Sequence, residues 1–233
     1  IIDCLENENV RKECLASEDA MKIYIALWSY GLDDIDDAVQ KIVDIADNGS
    51  IHQLLVAGYF AANLDLPYIS NQIAKIVLKQ HYDKDDVLAV WLPCFMPTRA
   101  SALWNAVRYD KDIEYKTWFD SKAEIHEHYL LIKKLFSAFS GKTKTFSPCV
   151  FPWYEATIKK SDFAEILCTL AALSGDNEKI DEACDLIKEC NPDQRQFYFS
   201  ALLRNPKTPI QRKTVLEGLV DRETYTRKSA YDI

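Results

Sequence analysis

Residues 35–46 read IDDAVQKIVDIA, an order of polar and apolar residues that is typical of a helix. Apolar side chains recur in this stretch at intervals of three and four residues, at Ile35, Ala38, Val39, Ile42 and Ala46. Because an α-helix turns once every 3.6 residues, this spacing places them on one face. The stretch therefore predicts an amphipathic helix with one face against a core.

The same spacing continues along most of the chain. Further apolar stripes comprise Ile125, Tyr129, Ile132, Phe136 and Phe139; Phe163, Ile166, Leu167, Leu170 and Leu173; and Ile180, Ala183, Cys184 and Ile187. Alternation with a period of two is never sustained for six residues, so the sequence predicts no strands. The predicted helices cover residues 3–15, 17–31, 35–47, 50–64, 68–81, 84–95, 98–109, 122–140, 161–174, 178–190, 192–204 and 209–221, with another beginning near 223.

Four capping patterns mark the starts of predicted helices. In each, a Ser, Asn or Thr is followed three residues later by Gln or Glu, so that each side chain can bond a backbone group of the first turn. The pairs are Ser50 with Gln53, Ser121 with Glu124, Asn191 with Gln194, and Thr208 with Gln211. The last two pairs also place a proline at the first helical position, where its missing N–H costs nothing.

Composition supports an all-α fold. The chain has 233 residues and 6 glycines, where average usage would give about 16. So few glycines argue against a β-sandwich or barrel and against a glycine-rich nucleotide-binding loop. Residues 35–38 and 180–183 are alike in pattern, and each is followed by a second helix, as in an α-solenoid. We therefore predict an all-α protein, a right-handed α-α superhelix of helix pairs with a less regular centre.

The cysteines indicate the compartment of the protein, and the chain ends indicate whether the sequence is part of a longer polypeptide. The seven cysteines are odd in number and contain no CxxC, so we expect a reducing cytoplasm. No apolar run approaches the ~18 residues that a membrane helix needs. The chain begins with Ile1, and residues 227–233 read as mid-helix, so we expect an excerpt from a longer polypeptide.

Residues 141–160 interrupt the helical pattern with two prolines and a basic, aromatic composition. We expect a loop or hinge there, with one short helix at 153–159, between helical arrays at 1–140 and 161–233. Charge supports a contact surface nearby, because residues 122–160 carry seven Lys/Arg and three Asp/Glu. The candidate contact residues are Lys133, Lys134, Lys142, Lys144, Trp153, Tyr154, Lys159 and Lys160. The alternative is that the aromatic side chains fold back onto the helices.

Two segments resemble the HEAT/armadillo-like α-solenoid family. HEAT repeats typically carry an acidic residue, then Val-Arg, then a small residue three positions after the arginine. Residues 5–15, with Val10, Arg11 and Cys14, are similar to this pattern, and so are residues 219–230, where Thr226 stands in place of the valine before Arg227. The resemblance implies HEAT-like helix pairs. Residues 56–61 and 88–92 also resemble helical regions of very large bacterial proteins of the molybdate-metabolism-regulator type, which implies a bacterial cytosolic fragment.

No motif in the sequence predicts catalysis, a metal or a cofactor. His126 and His128 lie beside Glu124 and Glu127, but residues two apart on a helix point about 200° apart, so the two imidazoles cannot share one ion. We expect His128 on the apolar face and His126 in solvent. The sequence has no Gly-x-Ser-x-Gly motif, and no cysteine shares a local motif with a histidine.

The leading hypothesis is a non-enzymatic interaction scaffold, or a regulatory helical region of a larger protein, that binds another protein or another domain of the same chain. The alternative is a HEAT-like DNA glycosylase, in which Trp104, Asp110, Asp112 and Trp118 would line a basic groove. A net charge of −8 opposes unassisted binding to nucleic acid.

Overall fold

The computed structural model describes residues 6–64, 119–146 and 156–233, together with single positions at 66, 69, 72, 73, 76 and 116. Helices dominate these residues, so the predicted all-α class is confirmed. The predicted helices over 68–81, 84–95 and 98–109 lie outside the described residues. None of the described helices combines the length and the apolar character that crossing a bilayer requires.

The chain divides into two compact units, which differ from the predicted segments at 1–140, 141–160 and 161–233. Unit 1 comprises Ile1–Pro97 and Thr145–Ile158, and unit 2 comprises Thr98–Lys144 and Lys159–Ile233. The helix predicted at 122–140 belongs to unit 2 because it packs directly on the helix that begins at residue 160. The hinge expected at 141–160 therefore does not separate these two helices.

Unit 1 is built around its second helix. The described helices are α1 (Glu8–Leu15), α2 (Ala20–Asp33), α3 (Ile35–Asn48) and α4 (Ile51–Asn63). Helix α2 packs on each of the other three, and Ile23 and Leu27 of α2 are fully buried in this core. Tyr24 meets Phe60 of α4 edge to face, with ring centres 5.5 Å apart, an arrangement that aromatic pairs favour.

Unit 2 is built around a nearly completely buried helix. Its described helices are α5 (Lys122–Ala138), α6 (Lys160–Ser174), α7 (Asn177–Leu186), α8 (Pro192–Leu203), α9 (Pro209–Gly218) and α10 (Thr224–Asp232), and a 3-10 turn (Ile187–Glu189) follows α7. Helix α6 is buried from Phe163 to Ser174 except at Ala172, and it packs on α5, α7 and α8. Successive helices in each unit pack on one another, in agreement with a superhelical arrangement.

The predicted caps form at all four helix starts. The capping side chains accept backbone N–H bonds at 3.2–3.4 Å at Ser50, Ser121, Asn191 and Thr208. In three cases the Gln or Glu three residues later accepts an N–H in return, from Ser50, Asp120 and Lys207. At Asn191 the return bond is missing, since Gln194 Oε1 has no hydrogen-bond partner in the part of the chain that the structure describes.

Two short strands correct the prediction of a strand-free chain with a helix at 153–159. Strands β1 (Thr143–Phe146) and β2 (Ala156–Lys159) are hydrogen-bonded to each other as a two-stranded sheet. Threonine and isoleucine favour extended backbone, and Ile158 is buried. Each strand has four residues, which is too short for a sustained alternating pattern.

The two arginines of the HEAT-like pattern have different surroundings. Arg11 is buried and forms an ion pair with Asp33 of α2, and its guanidinium carbon lies 5.4 Å from the centre of the Tyr30 ring. Arg227 donates to the carbonyl groups of Asp221 and Arg222 at 2.7 and 2.8 Å. Arg11 therefore joins two helices, whereas Arg227 holds the turn before its own helix.

Candidate functional site

Three of the predicted contact lysines lie together in unit 2, at the end of α5 and the start of α6. The Lys160 N–H donates to the Lys142 carbonyl at 2.9 Å, which makes the two residues neighbours. The Lys160 ammonium lies 4.9 Å from the centre of the half-buried Phe136 ring, within cation–π range. We call Phe136, Lys142, Lys159 and Lys160 the basic edge.

Two cations of the basic edge have no carboxylate partner among the residues that the structure describes. Lys142 and Lys159 are exposed, and among the described residues neither has a carboxylate within ion-pairing distance. Asp162 is close in sequence, but its carboxylate accepts the Lys159 backbone N–H at 2.7 Å at the start of α6. The edge therefore presents positive charge beside an aromatic ring.

Lys133 lies on α5 but forms an ion pair with a neighbouring helix and does not belong to the basic edge. Its ammonium donates to Glu182 of α7 at 2.8 Å, and the same carboxylate oxygen accepts the Tyr129 hydroxyl at 2.9 Å. The bond from Lys133 holds the pKa of Glu182 below its ordinary value. Burial, and then the bond to Glu182, raise the pKa of Tyr129. Lys133 therefore connects α5 to α7 and is not an uncompensated cation.

The other predicted contact residues are only partly described. Lys134 is exposed on α5. Lys144 lies within strand β1. Trp153 and Tyr154 lie outside the described residues, as do Trp104, Asp110, Asp112 and Trp118 of the alternative glycosylase site. The structure thus brings together Lys142, Lys159 and Lys160 from the predicted set.

The two histidines are oriented as predicted from helix geometry. His128 is buried, with Nδ1 3.0 Å from the Glu124 carbonyl oxygen and its ring 5.1 Å from that of Phe119. His126 and Glu127 are exposed. In the described part of the chain, no group of three His, Cys, Asp or Glu side chains is placed to hold a metal ion.

Two of the described cysteines of unit 2, Cys184 and Cys190, have raised pKa values. Cys168 and Cys190 are buried, with sulfur atoms 3.8 Å apart. The hydrogen bond with Cys168, and then burial, raise the pKa of Cys190 well above its ordinary value. Burial raises the pKa of Cys184 to about 11. Since the thiolate is the reactive form, Cys184 and Cys190 are poor nucleophiles.

Sequence reasoning missed an exposed apolar face on α2. Met21, Trp28 and Leu32 are 39%, 44% and 57% exposed, and Ile25 between them is half-buried. We call these four residues the α2 stripe. Their spacing of three and four residues, beside a second stripe at Ile23 and Leu27 on the same helix, is the pattern that could have revealed it.

A second set of exposed apolar side chains lies at α9 and α10. Leu216 and Val220 are 66% and 82% exposed, and Tyr225 and Tyr231 are 66% and 83% exposed. They supply matched positions for control substitutions.

These features define an all-α protein of successively packed helices with a basic edge on one unit and an apolar stripe on the other. The chain belongs to the family described as Family of unknown function (DUF5724), which matches residues 1–233. Neither a curated protein nor a solved structure matches the chain.

Proposed function

We propose that this protein is a non-enzymatic interaction scaffold that binds an acidic surface of another protein, or of another domain of its own chain, through the basic edge. The observation that supports this proposal is the pair of exposed cations Lys142 and Lys159, which have no carboxylate partner among the described residues and lie beside Lys160 and Phe136. A HEAT-like array, which the sequence resembles, suits this function because stacked helices offer long surfaces.

The energetics require both charge and aromatic contact. An exposed ion pair contributes only about 0.2–1 kcal/mol, so lysines alone would give weak and unspecific binding. Aromatic side chains supply most of the energy at many protein interfaces. Phe136 is the described aromatic residue at the edge, and Trp153 and Tyr154 remain the predicted anchors. The proposed contact is therefore salt-dependent and requires an apolar group on the partner.

The first test uses a fluorescent peptide of glutamate residues around a central phenylalanine, titrated with the full chain. Replacing Lys142 and Lys159 by glutamate should weaken binding about tenfold, which is 1.4 kcal/mol. The matched control replaces Lys207 and Lys228, which are exposed elsewhere in unit 2, and so makes the same change in net charge. The control should change the affinity less than about twofold. Equal losses in both variants would contradict the proposal, because only net charge would then matter.

Two further measurements separate protein binding from binding to nucleic acid. A pull-down from cells should lose its partner when Trp153, Lys142 and Lys144 are substituted together. Duplex DNA should not bind even at low salt, because the net charge is −8. Salt-dependent DNA binding together with release of an alkylated base would replace the scaffold proposal with the glycosylase alternative.

A further inference from the structure

Helix α2 has apolar residues on two faces and buries only one of them. Ile23, Leu27 and Tyr30 are buried against the neighbouring helices of unit 1, while the α2 stripe faces solvent. A helix that is apolar on all sides is normally buried on all sides. Exposed apolar patches of this kind mark interaction surfaces.

The dimensions of the stripe fit a helical partner. Met21 and Leu32 are 11 residues apart, which corresponds to about 16 Å, or three turns, at 1.5 Å per residue. Ile35 at the start of α3 is 44% exposed and extends the apolar surface beyond Leu32. A row of side chains with this spacing forms a ridge on the helix surface. Such a ridge packs into a groove between the side chains of a second helix.

The charges around the stripe select the partner. Residues 16–37 carry six acidic side chains and one lysine, and all seven are exposed. Asp33 pairs with Arg11 of α1, and Glu18 lies 2.6 Å from His52 Nδ1, which leaves Asp19, Asp34, Asp36 and Asp37 to face a partner. The acids stand at both ends of the stripe, at Glu18 and Asp19 before Met21 and at 33–37 after Leu32. Over residues 6–64 the count is 11 Asp/Glu to 4 Lys/Arg. The acidic surroundings attract a cationic partner and repel a second copy of this surface.

We propose that the α2 stripe binds a basic amphipathic helix of a partner protein. The apolar face of that helix packs on Met21, Trp28 and Leu32, and its lysines and arginines lie near the acidic residues at the two ends. This surface belongs to unit 1 and is independent of the basic edge. Failure of either proposal therefore leaves the other standing.

The test uses a labelled peptide of about 16 residues, with leucines spaced three and four apart and lysines on the other faces. Fluorescence anisotropy with the full chain should show binding that is at least tenfold tighter than that of the same peptide with glutamates. A peptide of the same composition in scrambled order should bind weakly. Equal binding of the lysine and glutamate peptides, or of the ordered and scrambled peptides, would overturn the proposal.

Two sets of variants localise the contact. Trp28→Gln with Leu32→Gln should weaken binding of the lysine peptide at least tenfold. Leu216→Gln with Val220→Gln, which also replaces two exposed apolar side chains by glutamine but in unit 2, should leave it unchanged. Circular dichroism verifies that each variant is folded. A third variant combines Asp36→Asn with Asp37→Asn and leaves the stripe intact. It should weaken binding of the lysine peptide severalfold, because it removes two of the acidic residues beside the stripe.

Self-association is the competing outcome. Sedimentation of the full chain should show a monomer at the peptide-binding concentrations. A dimer that dissociates in the Trp28 and Leu32 variant would overturn the proposal in favour of a second copy on the stripe. The Lys142 and Lys159 variant should bind the lysine peptide as the wild type does, which keeps this result separate from the test of the basic edge.

Discussion

Thr226 is a polar residue on the buried face of α10. It stands where the HEAT-like pattern usually has valine, and it is 1% exposed. Its hydroxyl oxygen has no hydrogen-bond partner among the described residues. A polar atom that loses its water contacts on folding and gains no hydrogen-bond partner destabilises the folded state. It therefore lowers the free energy of unfolding.

We expect Thr226→Val to raise the free energy of unfolding by about 1 kcal/mol. The control is Thr169→Val, because the Thr169 hydroxyl is equally buried but donates to the Glu165 carbonyl at 2.9 Å. That variant should gain no stability. Urea unfolding followed by circular dichroism measures both variants, and destabilisation by Thr226→Val would show that its hydroxyl does have a partner.

Tyr30 makes the stability of unit 1 sensitive to alkaline pH. Burial, and then the hydrogen bond that its hydroxyl donates to Glu8 at 3.1 Å, raise the pKa of Tyr30 to about 12. In the unfolded chain a tyrosine titrates near pH 10. Between these values the unfolded chain has lost a proton that the folded chain keeps. The stabilisation is therefore complete below pH 10 and is lost as the pH rises toward 12.

Tyr30→Phe removes this titration, so its stability should fall less steeply than that of the wild type above pH 10. The difference in free energy of unfolding between the wild type and Tyr30→Phe should shrink by an amount on the order of 1 kcal/mol as the pH rises. Urea unfolding at several pH values between 8 and 11.5 gives the comparison. Tyr231→Phe, at a side chain that is 83% exposed, should follow the wild-type curve. Parallel curves for Tyr30→Phe and the wild type would refute this prediction.

At the scale of elements, one glycine sets the distance between two helices. Gly218 is the last residue of α9 and lies against Phe199 of α8. A Cβ at this position would overlap the Phe199 ring, because it would lie 2.7 Å from Phe199 Cε2. Gly31 is also helical, but a Cβ there would meet the Ala38 Cβ at 3.6 Å, an ordinary contact. The two glycines share a helical backbone and differ in the space around them.

Gly218→Ala should therefore lower the free energy of unfolding by about 1–3 kcal/mol through overpacking. Gly31→Ala should raise it by about 0.5–1 kcal/mol, because alanine favours a helical backbone. Urea unfolding of both variants beside the wild type measures the difference. Equal effects of the two substitutions would mean that helix propensity, and not the contact with Phe199, decides the outcome.

The helices were predictable because local physics specifies them. The 3.6-residue period and the caps placed the start of α3 at Ile35 and that of α8 at Pro192, as observed. The strands at 143–146 and 156–159 were missed because each has only four residues, which is too short for a sustained alternating pattern. The basic edge was predictable in part, because the excess of lysines over acidic residues between 122 and 160 is visible in the sequence. The ion pair of Lys133 with Glu182, 49 residues away, depends on how α5 and α7 pack.

At the scale of the molecule, the two units differ in charge. The described residues of unit 1 from 6 to 64 carry a net charge of −7, from 4 Lys/Arg and 11 Asp/Glu. Unit 2 over 119–144 and 159–233 carries +1, from 17 Lys/Arg and 16 Asp/Glu. This asymmetry agrees with two proposed partners of opposite charge, one for the α2 stripe and one for the basic edge.

The division of unit 2 into two sequence segments has a consequence for biosynthesis. Helix α5 packs on α6, but 36 residues separate the last residue of α5 from the last residue of α6. At a synthesis rate of about 5–20 residues per second, α5 leaves the ribosome roughly two to seven seconds before its partner is complete. During that interval the face with Ile125, Tyr129 and Ile132 is uncovered, so nascent chains of this protein offer a transient hydrophobic target to ribosome-associated chaperones.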